Sequence, residues 1–170
     1  MSAESAFKNL PLFVLRPVPV PLYRPFLRRI VRRVMRRHPN LFNRLGGSAG
    51  KMILVNPVNM PVVFLLEPCR ENPRVTAFRH ADDLQYDASV TGSLLTLLRM
   101  VDGRIDGDAV FFTRDLVIDG DTEAVVALRN ALDDVEGSVA DDIAACFGLP
   151  GRLALSVMRR MDARQQQEAA

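Results

Sequence analysis

The sequence predicts an α+β fold with about five strands. Short apolar, β-branched runs cluster in the middle of the chain. Helix-period apolar stripes lie before and after them. The strict strand–helix alternation of a doubly wound parallel sheet is missing, so strands and helices fall in separate blocks.

Residues 1–22 read as an irregular arm, because Pro17, Pro19, Pro21 and Pro25 oppose helix and favour an extended run. Helix becomes possible after Pro25, a residue suited to a first turn. Leu27, Ile30, Val31 and Val34 then keep i, i+3, i+4, i+7 spacing, and Phe26 and Met35 widen that face. Arg28, Arg29, Arg32, Arg33, Arg36 and Arg37 fill the other face. Pro39 stops this basic segment, assigned to 23–45, and "RLGGSAGK" reads as a flexible joint.

"KMILVN" and "PVVFLLE" follow as strands, with a turn from Asn56 to Pro61 between them; "RVTAFRH" and "LQYDASVTG" are the next two. "SLLTLLRMV" places Leu94, Leu97, Leu98 and Val101 on one helical stripe, with Ser93 as N-cap. After the loop "RIDGDA", "FFTRDLVID" ends in a strand and Gly120 turns the chain. Asp121 caps a helix whose inward stripe is Val125, Leu128, Leu132 and Val135, and Gly137 ends it. Two helical pieces, near Val139 to Cys146 and Leu153 to Ala163, are separated by "GLPG" and complete residues 137–170.

A chain of 170 residues can bury a core without disulfides or metal. Cys69 and Cys146 are isolated, and no apolar run approaches the length of a membrane span, which points to a reducing, cytoplasmic compartment. The net charge of +2 hides an asymmetry. Residues 1–66 hold eleven Lys and Arg against the single acid Glu4, and residues 67–170 hold eleven against nineteen acids. A basic appendage on an acidic domain is a surface for something anionic.

Motifs for chemistry are weak. "GGSAGKM" has Leu45 where a phosphate loop needs its first Gly and Met52 where it needs Ser or Thr. "DGRIDGD" lacks calcium-loop spacing, with Thr113 in place of the late Glu, and reads as a solvated turn around Asp102, Asp106 and Asp108. "HADD" offers His80, Asp82 and Asp83, and the other His, His38, sits in the basic helix; no metal site or cofactor is expected. No G-x-S-x-G elbow or Cys beside a His marks a nucleophile, and the chain reads as a non-enzyme.

The basic helix departs from an ordinary solvated face. Arg28–Arg32, Arg32–Arg36, Arg29–Arg33 and Arg33–Arg37 are repelling i, i+4 pairs, together costing roughly 1–2 kcal/mol. No acid lies from Ser5 to Leu66 to relieve them. An anionic membrane suits both faces, with Phe26, Leu27, Ile30, Val31 and Val34 in the acyl boundary and the arginines on head groups. The acidic half of the same chain, or an acidic partner protein, is the second counterpart. Nucleic acid is not expected, because the stripe lacks interleaved aromatics for stacking.

From Gly107 to Asp134 the chain reads "GDAVFFTRDLVIDGDTEAVVALRNALDD". Phe111, Phe112, Arg114, Leu116, Val117, Ile118, Gly120, Asp121, Thr122 and Glu123 in it resemble the end of the sterol carrier protein type two lipid-binding domain. "SLLTLLRMVDGRIDGD" resembles the family's helix and acidic turn, and "PVPLYRPFLRRIVRRV" the lead-in of a branch serving oxygen-independent ubiquinone biosynthesis. The resemblance implies a domain over 46–136 with a mixed or antiparallel sheet and helices on one face, enclosing an apolar lipid tunnel. Leu94, Leu97, Leu98, Phe111, Phe112, Leu116, Ile118 and Leu128 are its expected lining. It implies a bound isoprenoid quinone precursor or phospholipid, peripheral membrane association, and the UbiU–UbiV hydroxylases as partners.

Overall fold

The computed structural model describes residues 19–69, 71–102, 116–135 and 138–168. A 3-10 turn at Val20–Leu22 leads into α1 (Tyr23–Arg37), and a 3-10 stretch at Phe42–Ser48 leads into the sheet. The strands are β1 (Ile53–Pro57), β2 (Val63–Glu67), β3 (Arg74–Phe78), β4 (Ala88–Gly92) and β5 (Leu116–Gly120). The remaining helices are α2 (Leu94–Val101), α3 (Thr122–Asp133), α4 (Val139–Cys146) and α5 (Gly148–Glu168). Phe111, Phe112, Asp106, Asp108, Gly137 and most of the proline arm lie outside the described residues.

The sheet has the order β3-β2-β1-β4-β5. β1–β2, β2–β3 and β4–β5 are antiparallel, and β4 returns to the open side of β1 to run parallel with it. The fold is therefore α+β with a mixed five-stranded sheet. Register aligns Leu66, Ile53 and Ala88 in one row and Phe64, Val55, Val90 and Ile118 in the next. Because side chains alternate across a sheet, these rows share one face. On that face Ile53, Val90, Leu97, Met100, Val125, Leu128 and Leu132 form the main core, together with Val34, Leu41 and Leu45.

Local chemistry accounts for the helix starts. Ser93, Asp121 and Ser138 each accept a hydrogen bond from a first-turn backbone N–H, those of Thr96, Ala124 and Asp141. Gly120 has φ +79°, and a Cβ there would run into the Asp87 carbonyl, so only glycine turns β5 into Asp121.

Three expectations are corrected. α1 begins at Tyr23, two residues before Pro25. The first N–H groups of a helix have no partner within it, so proline there forfeits no bond. "RLGGSAGK" is not a free joint: its Leu45, with Leu41 just before it, is buried at 3% exposure in the main core. "GLPG" does not separate helical pieces, since α5 starts at Gly148. Gly151 then packs so closely on the Ala144 carbonyl and Phe147 that a side chain would collide with them.

Candidate functional site

The residues expected to surround a tunnel divide between two apolar clusters. Leu97 and Leu128 are buried in the main core, and Leu116 and Ile118 pack at its margin from β5. Leu98, about 100° round α2 from Leu97, turns instead to a second cluster of Ala140, Ala144, Leu155 and Met158 between α4 and α5. Leu94 is half-buried at the first turn of α2.

The basic helix is docked on its own domain. Val34 is buried in the main core, Ile30 and Met35 pack against it, and the Tyr23 ring meets Phe64 of β2 edge-on at 6.5 Å. Leu27 and Val31 are half-buried. In this packing Ile30 and Val34 serve the core rather than an acyl boundary, because the stripe they form covers the apolar face of the sheet. Phe26 stays half exposed.

Two buried carboxylates, Asp142, which the sequence reading did not single out, and Asp102, organise the ion pairs. Asp142 of α4 accepts from Arg33 Nε (3.0 Å) and Arg37 Nη1 (3.1 Å), and His38 Nε2 lies 2.9 Å from its other oxygen. Asp102, at the C-terminal end of α2, accepts from Arg159 Nε (2.7 Å) and Nη2 (2.9 Å) and from the Ser138 hydroxyl (2.8 Å). The reading of Asp102 as a solvated turn is thus corrected: it is 1% exposed. A carboxylate at a helix C-terminus faces the unfavourable end of the dipole and stays buried only with paired cations. Arg159 also donates to Asp141 (2.8 Å), and its hydrogen bonds to Asp102 push its pKa well above the ordinary value. An acid at the end of an apolar stripe was the available signal; its partner, 57 residues away, was not.

Between α1, α4 and α5 lies an open cleft of about 510 Å³, bordered by Arg33, Arg37, Arg152 and Arg159 with Asp141 and Asp142. A second hollow, of about 540 Å³, runs along the outer side of α1 between Pro25, Arg28, Arg29, Arg32 and Arg36. Arg28, Arg29 and Arg32 meet no acid among the described residues, so this side of α1 keeps its positive charge. Among those residues no three His, Cys, Asp or Glu side chains gather to hold a metal, and no helix is long and apolar enough to cross a membrane. Cys69 is exposed and Cys146 buried, both as free thiols.

A mixed sheet with one helix-covered face, and a cationic helix fastened to α4 by the buried Asp142, defines a small two-layer α+β domain. Residues 31–133 match the SCP-2 sterol transfer family, and the chain belongs to that family, whose domains bind lipid. The match starts at Val31, inside α1. Similar solved structures include a UbiJ-SCP2 ubiquinone synthesis protein, 18% identical over 74% of this chain and 93% of that one, with a TM-score of 0.45. Sterol carrier protein 2 from Yarrowia lipolytica in its apo form is 15% identical, over 68% of this chain and 88% of that one, at a TM-score of 0.44. Sterol carrier protein domain 2 of Helicoverpa armigera is 14% identical, over 66% and 90%, at 0.43. No curated protein sequence matches significantly.

Proposed function

We propose that this protein is a non-enzymatic accessory factor of ubiquinone biosynthesis in the oxygen-independent branch, of the UbiT type. It holds an isoprenoid quinone precursor by its tail in an apolar tunnel lined from α2, β5 and α3. It docks peripherally on an anionic membrane from the cytoplasmic side and presents the ring to the UbiU–UbiV hydroxylases. The family match over residues 31–133 is the observation that carries the reading. Burial of an isoprenoid tail is worth about 0.8 kcal/mol per CH₂, so a protein that handles such a molecule outside the bilayer needs a dry apolar site. The open cationic side of α1 supports the membrane step. Deleting the gene in its host and measuring ubiquinone with and without oxygen tests the proposal. The expected outcome is loss only without oxygen, restored by the wild-type chain; unchanged ubiquinone in both conditions overturns it.

One observation favours a second reading, an interaction module with a filled core whose arginine helix binds an acidic partner. Arg33 and Arg37 already bind an acidic helix, α4 of the same chain. Such a module takes up no quinone precursor and binds an acidic protein in place of vesicles.

A further inference from the structure

α5 carries two apolar stripes where a surface helix needs one. Leu155 and Met158 face inward, at 8% and 4% exposure. Leu149, Leu153 and Val157, spaced i, i+4, i+8, face outward at 74%, 64% and 40%. The outward stripe is joined to α1 by aromatic stacking: Phe147, just before α5, lies parallel to Phe26 with ring centroids 5.9 Å apart and planes 6° apart. Both rings are about half exposed, and Leu22 stands exposed one turn before Phe26.

The charge around this apolar ridge is of one sign. On α5, Arg152 and Arg160 are exposed beside the stripe, and no acid occurs between Gly148 and Met161. On α1, the exposed Arg28, Arg29 and Arg32 meet no acid among the described residues. Exposed leucines in regular spacing mark an interaction surface. A rim of unneutralised arginines around them fits an anionic lipid interface, which accepts apolar side chains at the acyl boundary and guanidinium groups among phosphates. Nucleic acid would engage the arginines and leave the leucines in water.

We propose that the outward Leu149–Leu153–Val157 stripe of α5, tied to α1 through the Phe26–Phe147 stack, inserts into an anionic bilayer while the arginines of α1 bind its head groups. This rests on the membrane step proposed above and moves the inserting residues from the stripe of Ile30 and Val34, which covers the core, to α5.

Co-sedimentation with vesicles of phosphatidylglycerol and phosphatidylcholine, against phosphatidylcholine alone, tests it. Wild type binds the anionic vesicles, and Leu149→Glu with Leu153→Glu weakens that binding by about tenfold or more without lowering the melting temperature. A second reporter covers the case in which the double variant folds poorly. The chain has no tryptophan, so Leu153→Trp gives a single fluorophore at an exposed site. Its emission shifts to the blue on anionic vesicles and is quenched by brominated lipid. If the emission of the Leu153→Trp variant stays unchanged while wild type binds and Arg28→Glu with Arg32→Glu does not, α1 docks alone: the membrane step stands and the role of α5 falls. If wild type binds neither vesicle, the membrane step itself falls, and this inference with it. Self-association that the α5 variants abolish, without vesicle binding, assigns the stripe to a second copy of the chain and overturns the inference.

Discussion

Arg33 Nε lies 3.0 Å from Asp142 Oδ1, across 109 residues of sequence, and this contact fastens the basic helix to the acidic half of the chain. The block of arginines is therefore answered in two ways. Its inner members, Arg33 and Arg37, meet an internal carboxylate, and its outer members remain open.

Removing Asp142 tests the fastening. Its side chain is 2% exposed, whereas those of Arg33 and Arg37 are 35% and 62% exposed and can turn to water. Asp142→Ala is expected to cost about 1–3 kcal/mol in urea unfolding, below the loss for a fully buried pair. Arg37→Ala alone is expected to cost less than about 1 kcal/mol, because the more exposed partner is the more screened. Equal effects from both would mean that Asp142 is not the shared centre.

The Asp102–Arg159 pair is expected to be the stronger of the two. The Asp102 side chain is 0% exposed, and Arg159→Ala takes away two of its charged hydrogen bonds while leaving it buried. The expected loss is about 3–5 kcal/mol, since removing the cation of a buried pair is strongly destabilising. Asp102→Leu combined with Arg159→Met is expected to cost less than Arg159→Ala by itself, measured as a double-mutant cycle. A combined loss equal to the sum of the two single losses would remove the coupling.

These contacts mark where sequence reading stops. All five strands were legible as short β-branched runs, α3 as a stripe behind Asp121, and α4 as a helical piece near Val139 to Cys146, because those signals are local. The start of α1 was hidden by Pro25, whose effect depends on which helical position it occupies. The neighbouring residues Leu97 and Leu98 read as one stripe, yet α3 and the sheet claim the first while α4 and α5 claim the second, a choice made by packing alone. Asp102 looked like a solvent acid and Asp142 passed without notice, because their arginines lie 57 and more than 100 residues away. The placement of β4 beside β1 is likewise a long-range pairing without a local signature.

The start of the sheet is expected to be acid-sensitive. The Met52 N–H donates to Asp87 Oδ2 at 2.7 Å, and Lys51 Nζ bridges Asp87 and Asp121 at 3.3 and 3.4 Å. The Met52 hydrogen bond is the main cause that holds the Asp87 pKa below its ordinary 3.8. A depressed carboxylate contributes stability above its unfolded pKa and loses it as pH falls through the folded one. The melting temperature of wild type is therefore expected to fall more steeply below about pH 4 than that of Asp87→Asn, and the two curves should converge in acid. Parallel curves from about pH 7 to pH 3 would show that Asp87 carries none of the acid dependence.

The central claim, that the domain holds an isoprenoid lipid in an apolar tunnel, is tested most directly by native mass spectrometry of the purified protein, followed by solvent extraction. The account predicts a co-purifying isoprenoid quinone precursor or phospholipid that leaves on extraction and is taken up again from vesicles. It also predicts that Leu97→Trp, on the face of α2 turned to α3 and β5, reduces this uptake more than it reduces the melting temperature. A protein that emerges at its bare mass and takes up no such lipid, while Leu97→Trp only lowers the melting temperature, would contradict it.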